Sequence, residues 1–313
     1  MNAKVLFDYL LEGFYILSGI IMLITVYFVA KDSKNKDRIT TAIFWGILGV
    51  IFIFGKIIPP ALVGGAIVIM GILTLLNKVK PGNTAAMDEK FKEEQAKKIG
   101  SKIFIPSVTL AIVAFVFAQA TFKLSGVSGQ VAIGVSALAA VIIALVITKA
   151  NPSYIAKDGD RLLRQVGPAS ILPQLLAALG SLFTAAGVGD IIAKGISSAI
   201  PQGNIWAGII AYCLGMAVFT IIMGNGFAAF AVITAGIGIP FVFELGANPA
   251  VAGALALTAG FCGTLLTPMA ANFNVVPAAL LETKNKNRVI MSQAPIALIM
   301  LVIHIFLMYF LAF

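Results

Sequence analysis

The sequence predicts an all-α, polytopic integral membrane protein of about 9–10 spans, some of them discontinuous helices. Three observations carry that prediction. Of the 313 residues, 60% are apolar and only 11% charged, against about 45–50% and about 25% in a soluble domain. The apolar residues gather into stretches close to the ~20 residues that cross ~30 Å of hydrocarbon. The basic residues fall in the breaks between those stretches, alternately many and few. A formal charge of +9 therefore does not point to nucleic acid, which needs basic residues gathered on one folded face. A water-soluble enzyme is excluded by the same composition.

The first stretch, residues 11–30, is too long for a signal-peptide core. Asp8 and Glu12 stand where basic residues would precede such a core, and no small-residue cleavage site follows, so it reads as a retained span. Stretches 39–55, 57–76, 103–122 and 127–148 complete five spans. Loops 31–38, 77–102 and 149–164 hold four, seven and four Lys/Arg, while the alternate side carries Lys4, Lys56 and Lys123. The positive-inside rule makes the three basic loops cytoplasmic and puts the N-terminus outside. Residues 85–99 read AAMDEKFKEEQAKKI, with acid-first i,i+4 pairs Asp88–Lys92, Glu93–Lys97 and Glu94–Lys98, which predicts a solvated linker helix. The charged stretch 149–167, opening on Asn151-Pro152, marks the boundary between a five-span scaffold region, 1–165, and a second region, 166–313.

The second region has a different character. Its apolar stretches are 170–188, 205–223, 251–266 and 289–311, yet residues 165–283 hold only four charges, Asp190, Lys194, Glu244 and Glu282. Glycine, proline, threonine and asparagine sit inside apolar sequence instead. A simple lipid-facing span needs none of these, because an unpaired polar group in hydrocarbon is costly. Stretch 205–223 runs into Gly224-Asn225-Gly226, then a 13-residue piece, 227–239, ended by Pro240. As a helix that piece reaches only ~20 Å, too short to span. Stretch 251–266 likewise runs into Thr267-Pro268 and a 12-residue piece, 270–281. The breaks align at an offset of 43 residues, setting Phe230 on Phe273, Val232 on Val275 and Ala235 on Ala278. That pattern fits either a duplicated unit or coincidence in apolar sequence.

Short, Gly/Pro-interrupted hydrophobic segments in matching positions are the sequence mark of a secondary-transporter binding site. Half-helices starting at Phe227 and Ala270 would offer N–H groups to an anion, and the carbonyl ends before the breaks would offer ligands to Na⁺. The candidate substrate-binding residues are therefore Gly224, Asn225, Gly226, Phe227, Thr264, Thr267, Pro268, Asn272 and Asn274, with Na⁺ expected near Gly224, Asn225 and Thr267. Kinks sealed by neighbouring helices are the alternative origin of such breaks. Cys213 and Cys262 lie inside apolar segments and read as packing residues rather than disulfide partners or metal ligands. His304, the single histidine, reads as a hydrogen-bonded packing residue ahead of a proton relay. No familiar catalytic set appears, so the expectation is a carrier that needs no cofactor beyond Na⁺ or H⁺ as coupling ion.

The strings RLLRQVGPASILPQLLAALGSLF (161–183), AYCLGMAVFTIIMGNGFAAFAVITAGIGIP (211–240) and GFCGTLLTPMAANFNVVPAALLE (260–282) closely resemble the bacterial 5-oxoproline transporter subunit family. That family was long catalogued as a domain of unknown function. The family's Met-Gly-Asn-x-Phe-Ala-Ala-Phe motif falls on Met223, Gly224, Asn225, Phe227, Ala228, Ala229 and Phe230. Its Cys-Gly-Thr-Leu-x-Thr-Pro-Met-Ala-Ala-Asn-Phe-Asn motif falls on Cys262 through Asn274. GSLFTAAGVGD (180–190), with the Gly-Asn-Gly break, is similar in remoter outline to the ion-transporter superfamily of organic-anion carriers. The resemblance implies a permease for a small cyclic carboxylate in the bacterial cytoplasmic membrane, formed with a second, smaller membrane subunit. It also implies that residues 170–188 and 191–200 would form a re-entrant pair. Inverted-repeat carriers use two sets of breaks, so one set here calls for a partner subunit or a homodimer.

Overall fold

The computed structural model describes residues 3–82, 89–121, 129–197 and 203–313. Every element among them is helical. Seven helical stretches are long and apolar enough to cross a membrane, and three shorter apolar helices accompany them. The chain is a multi-pass membrane protein. It divides into two compact units, Met1–Gly167 and Pro168–Phe313.

Unit 1 holds α1 (Ala3–Lys31), α2 (Arg38–Phe54), α3 (Pro60–Leu75), α4 (Glu89–Ile99), α5 (Ile105–Thr121), α6 (Gly129–Thr148) and α7 (Ser153–Val166). The helices form where apolar residues run unbroken, and α3 begins on Pro60 at the position where its missing N–H costs nothing. α1 and α2 approach closely because their crossing is glycine on both sides. A methyl on Gly49 would stand 3.1 Å from the Gly19 carbonyl oxygen, and small residues are what allow membrane helices to meet this closely. Of the expected linker helix, residues 89–99 form α4, and residues 85–88 lie outside the described residues.

The charged stretch expected as a boundary loop is instead largely helical. α7 carries its charges on one face and buries Asp160 and Arg164. Arg164, only 4% exposed, donates from Nε to Asp160 Oδ1 at 2.8 Å. Its Nη1 donates to Asp32 Oδ2 at 3.2 Å and to the Pro81 carbonyl at 3.4 Å. One guanidinium thereby ties α7 to the segments after α1 and after α3. Neutral bonds reinforce the junction: Thr41 Oγ1 accepts from the Lys80 N–H at 3.0 Å, and Thr40 Oγ1 donates to the Lys78 carbonyl at 2.6 Å.

Unit 2 holds α8 (Leu172–Ala185), α9 (Val188–Ser197), α10 (Ile205–Met223), α11 (Gly226–Ile233), α12 (Pro249–Thr264), α13 (Val275–Leu280) and α14 (Arg288–Ala312). Its core is built by α10, α11, α12 and α14, with Ile209, Tyr212 and Met216 meeting Ala252, Ala256, Ala259, Ala297 and Met308. Cys213 and Cys262 are buried and free. His304 pairs its Nδ1 with the Met300 carbonyl at 2.7 Å, one turn back on its own helix, as a packing histidine does.

The stretch 170–188 holds α8, which ends at Ala185, and Gly187, whose φ is +67°, turns the chain into α9 at the end of that stretch. Of the proposed partner piece 191–200, residues 198–200 lie outside the described residues. The piece after Gly224-Asn225-Gly226 does not stop at Pro240. It continues as a π-helix, Thr234–Phe243, so that Gly226–Phe243 is long enough to cross a membrane. The wider i→i+5 turn absorbs a proline that would break an α-helix. Finally, residues 270–274 are not helical, and the second short helix begins at Val275. Phe230 lies inside a helix and its expected counterpart Phe273 lies outside one, so the 43-residue offset does not carry over into secondary structure.

Candidate functional site

The site in unit 2 grows from two helix ends. α10 stops at Gly224, whose φ is +65°. Only glycine suits this position twice over, because a Cβ there would also stand 2.5 Å from the Met269 carbonyl oxygen. Asn225 then caps α11: its Oδ1 accepts from the Phe227 N–H at 3.0 Å and from the Ala228 N–H at 3.3 Å. The sequence reading offered the Phe227 N–H to a substrate anion. Here the chain's own asparagine has taken it.

The second end is α12. Thr264 donates to the Phe261 carbonyl at 2.6 Å, and the chain turns at Thr267, whose Oγ1 accepts from the Met269 N–H at 3.2 Å. Asn274, 1% exposed, closes the turn from behind. Its Nδ2 donates to the carbonyls of Thr264 and Thr267, each at 2.7 Å, while its Oδ1 is buried without a partner among the described residues. Ala270 stands within this non-helical turn, so it is not a helix N-terminus and offers no anion site of that kind.

Between the two ends lies a cavity of about 230 Å³. Gly224, Asn225, Gly226 and Phe227 form one side, Phe261 and Thr264 the second, and Met269, Ala271, Asn272 and Phe273 the third, with Leu176 of α8 completing the wall. The Phe261 ring meets Phe227 edge-on at 5.9 Å and lies tilted against Phe273 at 6.4 Å. Asn272 is exposed and makes no hydrogen bond within the described residues. Among the described residues, none that lines the cavity is ionisable. The C-terminal ends of α10 and α12 both reach the cavity, bringing the partial negative charge of the helix dipole. The one N-terminus present, that of α11, is already capped.

The structure thus brings Gly224, Asn225, Gly226, Phe227, Thr264 and Asn272 together, and it places Thr267, Pro268 and Asn274 outside the lining. Among the described residues no group of three or more His, Cys, Asp or Glu could hold a metal ion. A cation here would rely on carbonyl ends and neutral side chains. Sequence reasoning missed Leu176, Phe261, Met269, Ala271 and Phe273. Phe261 could have been found, since it stands three residues before Thr264 and i,i+3 positions share a helix face. Leu176 had no sequence signal.

The family described as a protein of unknown function (DUF979) matches residues 12–313. The chain belongs to that family. No curated protein and no solved structure matches it. The match runs through both units and includes the residues of the cavity.

Proposed function

We propose that the chain is a subunit of a secondary active transporter for a small carboxylate, 5-oxoproline foremost, coupled to Na⁺ or H⁺. The observation that carries this reading is the convergence of two interrupted helices on one cavity that no ionisable residue lines. Broken helices with their ends turned to a common cavity are how transporters bind substrate and coupling ion together. A volume of about 230 Å³ suits a small ring, and the three phenylalanines offer it flat apolar walls. The free amide of Asn272 supplies the directional hydrogen bond. Two helix C-termini facing the cavity favour a cation, which supports a carboxylate entering with Na⁺ or H⁺ rather than alone. The reading is of a carrier, not an enzyme, in the bacterial cytoplasmic membrane. The basic segments 31–38, 77–102 and 149–164 are assigned to the cytoplasm by their lysines and arginines, and a smaller membrane subunit or a second copy completes the site.

Uptake of labelled 5-oxoproline into proteoliposomes tests this. Asn272→Ala removes one charge-assisted hydrogen bond, about 1.5–3 kcal/mol, so apparent affinity falls about tenfold or more. Uptake unchanged in Asn272→Ala would refute the site. Uptake indifferent to both Na⁺ and proton gradients would refute coupling and favour a passive channel.

A further inference from the structure

We propose that unit 1 holds a phospholipid whose head group carries a phosphate and a primary ammonium, at the end of α2 remote from the basic loops. Glu12 of α1 and Lys56, just past α2, stand there with Nζ and Oε2 3.9 Å apart. That is too long for a hydrogen bond, so among the described residues each keeps bonding capacity for a ligand. Glu12 precedes Lys31 by 19 residues of continuous helix, about 28 Å of rise. With Lys31 in one head-group layer, Glu12 reaches the other, since the hydrocarbon between them is about 30 Å thick.

The pair opens into a cavity of about 370 Å³ whose remaining walls include Tyr15 and Phe52. These rings meet edge-on at 5.9 Å, and the Tyr15 hydroxyl donates to Gln130 Oε1 of α6 at 3.1 Å, so the wall is fixed. Ile51 also borders a second cavity, about 430 Å³, between α2 and α3. Ile43, Ile47, Val50, Leu62 and Ala66 make it wholly apolar. From Ile51 to Ile43 it runs eight residues along α2, about 12 Å into the bilayer. A polar mouth with one acid and one base, beside an apolar groove, matches a zwitterionic head group and an acyl chain. The phosphate meets Lys56, 68% exposed, and the ammonium meets Glu12, 29% exposed. An anionic head group would bring a second negative charge against Glu12. A quaternary ammonium could not donate to it.

Native mass spectrometry of the delipidated chain, titrated with dioleoylphosphatidylethanolamine or dioleoylphosphatidylglycerol, tests the proposal. Wild type is expected to favour the ethanolamine lipid about fivefold, the scale of one partly exposed ion pair. Glu12→Gln abolishes that preference, while Lys56→Gln, at an exposed position, weakens retention of both lipids. Ile47→Trp fills the groove and lowers retention of both lipids with the charged pair intact. Free phosphoethanolamine fails to compete. Equal retention of the two lipids by wild type, or an unaltered preference in Glu12→Gln, overturns the proposal. Displacement by phosphoethanolamine at concentrations comparable to the lipid also overturns it, because the site would then serve a small zwitterion.

Discussion

Asn272 and Asn274 are two residues apart and chemically identical, yet the structure gives them opposite work. Asn274 donates to two buried carbonyls, at Thr264 and Thr267. In Asn274→Ala both carbonyls lose their partner, at about 1–3 kcal/mol each. The same substitution removes the unpartnered Oδ1, which returns about 1–3 kcal/mol. The balance is a destabilisation of about 2–3 kcal/mol once the vacated volume is included. Asn272 makes no hydrogen bond within the described residues and is exposed, so Asn272→Ala stays within about 0.5 kcal/mol of wild type. Cys213 and Cys262, buried on α10 and α12, report the difference. Their labelling by a fluorogenic maleimide during heating in detergent follows the opening of this unit. Asn274→Ala is expected to label at a midpoint lower by about 4–12 °C, taking about 2–4 °C for each kcal/mol. Asn272→Ala is expected to label as wild type does. If Asn274→Ala kept the wild-type midpoint and lost substrate uptake, the assignment of brace and ligand contact would be reversed.

Two further outcomes follow from buried groups. Arg164→Leu strands the buried carboxylate of Asp160 and takes one partner from Asp32, at a cost of about 3–5 kcal/mol. Protease access to the 31–38 loop is expected to rise sharply, and adding Asp160→Asn and Asp32→Asn is expected to restore protection. A methyl on Gly263 would collide with the Ala217 carbonyl, whereas one on Gly253 would meet only the Phe230 ring at 3.5 Å. Gly263→Ala is therefore expected to lower the maleimide-labelling midpoint by the equivalent of about 1–3 kcal/mol, with Gly253→Ala close to wild type.

The sequence was most legible where hydrophobic length alone decides structure. The stretch 205–223 is α10 residue for residue, because Asn204 caps its start and Gly224 ends it, and both signals are local. It was least legible where tertiary packing overrides a local rule. Pro240 reads as a terminator, yet the π-helix carries the chain past it to Phe243. Gly238 fits against a neighbouring ring, and a Cβ there would stand 2.6 Å from the Tyr212 ring. Thr267-Pro268 reads as a point break like Gly224-Asn225-Gly226. The turn instead extends through Asn274, because that side chain, ten residues after Thr264, satisfies the carbonyls a helix would have used. The identity of the break residues was legible; which of them face the cavity was not, since facing depends on the partners of each amide.

The absence of ionisable groups from the cavity lining bears on how the proposed carrier would work. A lysine or arginine in the lining would hold a carboxylate strongly, but it would remain as an uncompensated charge whenever the site stood empty. Such a charge deep in a membrane is expensive. Helix ends carry only about half a charge each and are part of the backbone, so the empty site keeps no full charge. Here the helix ends that reach the cavity are the C-termini of α10 and α12, whose dipoles point their negative ends there although Asn274 donates to the Thr264 carbonyl, while the first N–H groups of α11 are taken by Asn225. A lone carboxylate would meet fields of its own sign. A cation seated first at the carbonyl ends reverses that field, and the carboxylate then binds the cation as much as the protein. Coupling on this reading is a consequence of which helix ends the fold turns to the cavity.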